Sequence, residues 1–160
     1  MSLRYDSYMI TFAEVPDEVS LSFAISGCKN NCKGCHSPHL RSNIGKDFSK
    51  SGYDLIEQNK EKITCLLLLG GDRTENVDEL KEILSYAKEQ NLKTCLYSGD
   101  DNMNSTVREI LPLLDYVKIG SYKEKLWGLA STTTNQKMFK VNNSQQLTDI
   151  TKRFWIKGAK

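Results

Sequence analysis

Three cysteines lie within eight positions of the chain, in the segment GCKNNCKGC. Cys28, Cys32 and Cys35 follow a C-x3-C-x2-C spacing, and thiolates so close together are soft ligands that suit zinc or an iron–sulfur cluster. The chain has five cysteines, an odd number, with three of them crowded together. A disulfide framework is therefore a poor interpretation, and metal or redox chemistry is the better one.

The cysteine segment allows two kinds of site. A structural zinc ion needs four protein ligands, and His36 or His39 could complete a Cys3His set in a binding module without turnover. A cubane cluster held by three cysteines would instead keep one iron open to an exchangeable ligand. The cluster is favoured because no second pair of ligands follows the triplet. Cys65 and Cys95 fall inside apolar strands, where we expect small buried hydrophobic residues.

Apolar periodicity predicts strands that alternate with helices. The predicted strands are residues 19–25, 64–69, 93–97, 116–119, 137–141 and 153–156, and the predicted helices are 53–60, 76–90, 105–111 and 144–151. Strands separated by helices pair in parallel through right-handed crossovers. The pattern therefore predicts an α/β fold with a mostly parallel sheet in a single domain, residues 1–160.

Glycines follow the predicted strands at their carboxyl ends. These residues are Gly27, Gly70, Gly71, Gly99 and Gly120. In a parallel sheet all of them lie at one edge, which is where α/β folds bind ligands. Because the cysteine segment leaves a strand at the same edge, we expect the glycines and the cysteines to share one site.

Composition limits the class of protein. The chain has 160 residues, of which 39% are hydrophobic and 26% charged, as in a soluble globular domain. Its longest apolar run, residues 63–69, is too short to cross a membrane, and its first twenty residues are too charged for a secretory signal. We therefore expect a cytoplasmic protein without a membrane partner.

Charge is distributed unevenly along the chain. Residues 118–160 carry nine basic and two acidic side chains, although the net charge of the whole chain is only +2. This basic segment is either a solvated surface or a face for an acidic partner. Aromatic residues do not alternate with its lysines, so nucleic acid is not an expected partner.

Several motifs resemble those of a known superfamily. The C-x3-C-x2-C spacing is that of the radical S-adenosylmethionine superfamily, and Gly70-Gly71-Asp72 after the second predicted strand resembles its GGE-type motif. The segments GCKNNCKGC, LLLLGGD, LDYVKIGSY and TTTNQKMF are together similar to the activating proteins of anaerobic ribonucleoside-triphosphate reductase. The likeness covers about residues 8–141. Ile119 stands where many members have Asp, which indicates a divergent branch.

The resemblance implies a fold and a reaction. The fold would be an incomplete TIM-like β/α barrel of about five or six strands. Cys28, Cys32 and Cys35 would hold a [4Fe–4S] cluster whose fourth iron binds S-adenosylmethionine. A reduced flavodoxin- or ferredoxin-type donor would supply the electron that cleaves this molecule to methionine and a 5′-deoxyadenosyl radical. The radical would then remove hydrogen from a glycine of the reductase large subunit. Another glycyl-radical enzyme, or a small molecule, is the alternative substrate.

The resemblance also implies contacts with S-adenosylmethionine. Gly70 and Gly71 would let the backbone approach its methionine part, and the Asp72 carboxylate would lie near its ammonium group. Ser98 and Gly99 would meet the adenosine.

The roles of three residues remain open at this stage. Lys118 is a further candidate contact with the cofactor; it points either into the site, toward the substrate carboxylate, or out to solvent. Asn135 and Gln136 would help to close the site or meet the partner protein.

Overall fold

The computed structural model describes residues 3–12, 14–25, 45–70, 77–120, 136–142 and 146–151. Eight strands in these ranges form one sheet with the spatial order β3-β1-β2-β4-β5-β6-β7-β8. Their bounds are β1 Arg4–Thr11, β2 Ser20–Ile25, β3 Lys46–Asp47, β4 Cys65–Leu69, β5 Lys93–Tyr97, β6 Tyr116–Ile119, β7 Lys137–Val141 and β8 Leu147–Asp149. The predicted strand at residues 153–156 lies outside the described residues.

The centre of the sheet is parallel and its two flanks are antiparallel. Strands β2, β4, β5 and β6 pair side by side in chain order, with Ser20 opposite Cys65 and Cys65 opposite Lys93. Strands β1 and β3 are added antiparallel on one flank, and β7 and β8 on the other. The α/β class is confirmed, but the described sheet is mixed rather than mostly parallel.

Within the described residues, three helices connect the central strands. They are α1 Tyr53–Asn59, α2 Val77–Glu89 and α3 Ser105–Ile110. A π-helical turn, Phe48–Gly52, precedes α1, and a 3-10 turn, Leu111–Leu113, follows α3. The apolar stripe predicted for α2 is confirmed, because the four residues that follow Val77 in this stripe are fully buried: Leu80, Ile83, Leu84 and Ala87.

All three helices pack on one face of the sheet, which we call the helix face. The main core joins the helices to alternate residues of the central strands, among them Phe23, Leu66, Leu68, Leu96 and Val117. Alternation along each strand sends the intervening residues to the opposite face. Strand β4 is apolar at every position because both of its faces are covered.

We call the opposite face the loop face, because the β1–β2 connection folds over it. A second, smaller core there joins Val15 of that connection to Cys65, Leu67, Cys95 and Met138. Val15 is fully buried. The Tyr97 hydroxyl donates a hydrogen bond to the Glu14 carbonyl, which fixes the connection to β5. The central strands are therefore covered on both faces.

Two parts of the sheet differ from the sequence-based expectation. Strands β1 and β3 were not predicted, and the helix predicted at residues 144–151 is wrong, because Leu147–Asp149 forms β8 against β7. The backbone N–H of Gln146 donates to the Asn142 side-chain oxygen, 2.9 Å away, at the connection from β7 to β8. This contact brings the chain back alongside β7 as a strand.

Strand β1 carries most of the exposed apolar side chains of the described ranges. Tyr8, Met9 and Ile10 in β1, and Phe12 directly after it, are each more than a third exposed. A bulge between Tyr5 and Ser7 shifts the register of β1 against β2. No helix within the described ranges has the length and apolarity needed to span a membrane.

Candidate functional site

The carboxyl ends of the parallel strands lie at one edge of the sheet, as the glycine pattern predicted. Gly70 follows β4 in the left-handed region, with φ +93°. Its N–H donates to the carbonyl of Tyr97 at 2.9 Å, and a Cβ on Gly70 would lie 3.6 Å from the carbonyl oxygen of Ile25. Gly70 therefore lies between the ends of β2 and β5.

Gly120 forms a second backbone corner at this edge. It follows β6 with φ +112°, a conformation that favours glycine. Its N–H donates to the Asp100 carbonyl at 2.6 Å, which joins the loop after β5 to the end of β6. This hydrogen bond fixes the peptide unit that joins Ile119 to Gly120.

Lys118 lies on the loop face, two residues before Gly120. Alternation along β6 places Lys118 on the same face as Tyr116 and opposite to Val117. The residue is only 7% exposed. Its ammonium nitrogen lies 3.3 Å from the Gly120 carbonyl oxygen and 5.2 Å from the centre of the Tyr97 ring. Of the two orientations left open by the sequence, the structure has the one that faces away from solvent.

Gln136 reaches the same corner from β7. Ile119 pairs with Lys137, so the register places Gln136 beside Gly120. Its side-chain nitrogen donates to the Gly120 carbonyl oxygen at 3.3 Å, and the residue is 8% exposed. The short Asn-Gln motif singled out Gln136 in the sequence, but its contact with this corner depends on a pairing that the sequence did not reveal.

Ser98 and Gly99 close the end of β5. Ser98 is fully buried, and its N–H donates to the carbonyl of Lys118 at 2.8 Å. Its hydroxyl oxygen accepts from the Asp100 N–H at 3.2 Å. Gly99 is half-buried. Ser98 and Lys118 thus lie next to one another, whereas their predicted contacts with a bound molecule remain predictions.

Asp100 continues the corner toward α3. Its carboxylate accepts a hydrogen bond from the Asn104 side-chain nitrogen at 2.7 Å. Asn104 is also the N-cap of α3, because its side-chain oxygen accepts from the Val107 N–H at 2.8 Å. The start of α3 is therefore tied to the site edge.

A buried polar network occupies the opposite, amino end of the loop face. The Glu18 carboxylate, 8% exposed, accepts hydrogen bonds from the hydroxyls of Thr64 at 2.7 Å and Tyr116 at 2.8 Å. Burial and the hydrogen bond to Glu18 raise the pKa of the Tyr116 phenol. Our sequence analysis did not predict this network, because its members lie far apart in the chain.

Cys65 and Cys95 are unsuited to metal binding. Both are fully buried on the loop face, as predicted. Burial raises the pKa of the Cys65 thiol to about 12 and that of Cys95 well above its ordinary value. A metal binds the thiolate, and forming a thiolate in this apolar core is unfavourable.

Three of the five cysteines therefore remain as candidate ligands of a cluster. Cys28, Cys32 and Cys35 lie outside the described residues, as do Gly71 and Asp72. The ranges given above contain no group of three His, Cys, Asp or Glu side chains able to hold a metal ion. Three thiolates at this spacing fit an iron–sulfur cluster.

Comparison with known families supplies the decisive observation. A sequence model of the family described as "4Fe-4S single cluster domain" matches residues 18–150, which is most of the chain and includes Cys28, Cys32 and Cys35. The chain belongs to the 4Fe-4S single cluster domain family. Comparisons with curated proteins and with solved structures found no match.

Family membership supports one part of the sequence-based prediction. A [4Fe–4S] cluster is the cofactor of this 4Fe-4S single cluster protein, and an iron–sulfur cluster is compatible with an oxidoreductase. The zinc-stabilised module is the less favoured alternative.

Proposed function

We propose that this protein is a radical S-adenosylmethionine activase that installs a glycyl radical on anaerobic ribonucleoside-triphosphate reductase. The observation that most directly supports this proposal is the placement of Gly70, Ser98 and Lys118. These three predicted contact residues lie at one edge of the parallel strands, in an iron–sulfur protein. Ligands of α/β proteins bind at this edge.

The cysteine segment leaves the sheet at the same edge. Cys28 follows Ile25, the last residue of β2, by three positions. Covalent chain length alone keeps their Cα atoms within about 11 Å of each other. The close approach of Gly70 to the Ile25 carbonyl therefore supports a shared site for Gly70 and the cysteines.

The winding of the sheet supports a partial barrel. Consecutive parallel strands whose described helices all pack on one face are wound in one direction, as in β/α barrels. Doubly wound folds place helices on both faces. We propose that β2, β4, β5 and β6 are the barrel-like part, with the antiparallel strands as flanks.

The proposed reaction transfers one electron and one hydrogen atom. When bound, a [4Fe–4S] cluster supplies the electron and an open iron position for the amino and carboxylate groups of S-adenosylmethionine. One electron breaks the bond between sulfur and C5′, giving methionine and the 5′-deoxyadenosyl radical. This radical takes a hydrogen atom from a glycine Cα of the reductase large subunit, giving 5′-deoxyadenosine and a glycyl radical.

The chain's own residues would bind and orient the S-adenosylmethionine. Gly70 and its neighbours Gly71 and Asp72 would meet the methionine part, and Ser98 and Gly99 the adenosine. Lys118 would hold a positive charge in a site from which water is largely excluded, since the residue is 7% exposed. Low exposure strengthens its attraction for an anionic group.

The cellular setting is part of the proposal. We propose that a flavodoxin- or ferredoxin-type protein donates the electron and that the enzyme works in the cytoplasm, where thiols stay reduced. The basic residues 118–160 would favour an acidic partner surface.

Anaerobic reconstitution with iron and sulfide tests the function. The reduced wild-type protein should cleave S-adenosylmethionine, and adding the candidate reductase should produce a glycyl radical in electron paramagnetic resonance spectra. Alanine at Cys28, Cys32 or Cys35 should abolish both reactions, whereas Cys95→Ala should keep the cluster absorbance and the cleavage.

Three results would contradict the proposal in different ways. A colourless protein with stoichiometric zinc would indicate the structural module. A cluster without cleavage of S-adenosylmethionine would leave an iron–sulfur protein of another kind. Cleavage without a glycyl radical on the reductase would point to a different substrate.

A further inference from the structure

The second half of β1 lies at an uncovered edge of the sheet. Strand β3 pairs only with Arg4 and Tyr5 of β1. Within the described ranges, residues 7–11 therefore have no strand on the side that faces away from β2. Such an edge presents backbone N–H and C=O groups that can pair with another strand.

Both faces of this stretch are exposed as well. Tyr8 lies opposite Phe23 of β2 and is 49% exposed, and Ile10 lies opposite Leu21 and is 37% exposed. Because Phe23 and Leu21 belong to the main core, Tyr8 and Ile10 are on the helix face. Met9 is 61% exposed, and alternation places it on the loop face. Strand β2, by contrast, is buried at every position except one.

Residues 7–12, with the sequence SYMITF, lack the side chains that usually protect an exposed edge. Proteins keep edge strands from pairing by means of charged residues, especially Lys, or by means of Pro. This stretch has no charged residue and no Pro, and the bulge in β1 ends at Ser7. Two copies of a chain whose net charge is only +2 also repel each other weakly. This edge is therefore open to a second strand.

The same stretch is complementary to a second copy of itself. In an antiparallel pair centred on Met9, the two Met9 side chains lie opposite one another, and Tyr8 lies opposite Ile10 of the second copy. Directly opposed side chains share a face, and a pair of an aromatic and a β-branched residue stabilises antiparallel strands. Phe12, 74% exposed, would be diagonal to Tyr8 of the second copy. An uncharged strip does not select a partner by charge, whereas this match selects a second copy.

We propose that residues 7–12 are the contact surface of a homodimer, in which two copies pair antiparallel about a two-fold axis at Met9 and join their sheets into one. The contact lies at the end of β2 that is far from the cysteine segment, since Thr11 pairs with Ser20 and the cysteines follow Ile25. The site edge therefore stays open to a partner protein. The dimer does not depend on the proposed function.

Sedimentation velocity of the anaerobically reconstituted protein measures this association. As the protein concentration rises, the wild type should change from the mass of one chain, 18.2 kDa, to twice that mass. Strand β3 and the end of β1 limit the pairing to residues 7–11, which makes the interface small. Small interfaces are weak, so we expect a dissociation constant of about 1–100 μM.

Met9→Lys and Met9→Glu test the two-fold pairing. Each variant alone brings like charges together at the axis, which should raise the dissociation constant by more than about ten-fold. An equimolar mixture of the two variants brings an ammonium group opposite a carboxylate. The mixture should therefore form a heterodimer with a dissociation constant within about ten-fold of the wild-type value. Mixing cannot repair a misfolded variant, so this recovery identifies direct contact at position 9.

Leu147→Lys is the matched control. Leu147 is also 37% exposed, and it lies in β8, at the opposite end of the strand order from β1. The variant adds the same charge to another exposed apolar position and should leave the dissociation constant unchanged. Cluster absorbance and far-ultraviolet circular dichroism verify that each variant is folded and loaded.

Several results would overturn the dimer and leave the proposed function standing, because cleavage of S-adenosylmethionine is measured separately. One is a wild-type protein that keeps the mass of one chain up to about 500 μM, above the range expected for a weak interface. Another is a dimer that neither Met9 variant weakens, or that Leu147→Lys weakens equally. A monomer that binds phosphatidylcholine vesicles, or the candidate reductase, only when Met9 is intact would assign the strip to a lipid surface or to that protein instead.

Discussion

Replacing Glu18 by Ala is expected to lower the free energy of unfolding by about 2–4 kcal/mol. The carboxylate is 8% exposed and accepts hydroxyl hydrogen bonds from Thr64 at 2.7 Å and Tyr116 at 2.8 Å. A hydrogen bond to a charged group contributes about 1.5–3 kcal/mol. The Thr64 hydroxyl can still donate to the Val19 carbonyl oxygen at 3.3 Å, so the cost falls mainly on Tyr116.

The coupling between Glu18 and Tyr116 refines the expected loss in free energy of unfolding. Lys93 lies 4.0 Å from the carboxylate and is half exposed, so its contribution is small. Tyr116→Phe alone should cost about 1–2 kcal/mol, because it leaves the carboxylate with one hydroxyl donor fewer. In the double variant, the loss in free energy of unfolding should be smaller than the sum of the two single losses by about 1 kcal/mol or more.

Urea denaturation of the four proteins at pH 7 measures these differences. Glu61→Ala is the control, because Glu61 is an exposed acid before β4, and it should stay within about 0.5 kcal/mol of the wild type. If Glu18→Ala also stayed within that range, or if its effect and that of Tyr116→Phe were additive, the network would not hold the β1–β2 connection as we infer.

Three further predictions concern the loop face and the site edge. The folded pKa of Cys65 is about 12 against 9.0 in the reference state, so its contribution to stability is complete below pH 9 and is lost as the pH rises through about 12. Between pH 8 and pH 10, the free energy of unfolding in urea should fall by about 1.4 kcal/mol more for the wild type than for Cys65→Ala. Asn104→Ala removes the cap of α3 and should cost about 1 kcal/mol in the same assay, whereas no loss would mean that the cap is dispensable. Gly120→Ala forces a side chain into φ +112° and should cost about 1–3 kcal/mol in thermal unfolding, and an unchanged midpoint would argue against a fixed Gly120 peptide.

The parallel centre of the fold could be predicted from local sequence. Residues 93–97, 116–119 and 137–141 are strands with the predicted bounds, and α2 buries the predicted stripe. These elements have short apolar runs or helical periodicity and end at turn residues, so their own sequence contains the signal.

The antiparallel flanks could not be predicted in the same way. Strand β1 places Tyr8, Met9 and Ile10 in succession, all exposed, so it shows neither alternation nor a buried run. Its strand state comes from pairing with β2. All three residues of β8 are exposed, and its pairing depends on a contact between Asn142 and Gln146 that propensity does not reveal.

The site was predicted only in part for a related reason. Alternation in β6 indicates that Lys118 and Tyr116 share a face, but not which face the helices cover. That choice depends on crossover handedness and on the position of Val15, and it decides whether Lys118 is buried. The partnership of Lys118 with Gln136 needs the register between β6 and β7, which no local pattern specifies.

The two ends of the loop face hold different groups, and this difference explains how the described strands position Lys118 and Gln136. Near the amino end, Glu18 accepts hydrogen bonds from the buried hydroxyls of Thr64 and Tyr116, and Val15 packs in the loop-face core. At the carboxyl end, the side-chain nitrogens of Lys118 and Gln136 contact the Gly120 carbonyl oxygen. A packed amino end resists deformation, since interiors transmit strain rather than absorb it. Lys118 and Gln136, the donors at the carboxyl end, are therefore held in place by the packed residues nearer the amino end of the sheet.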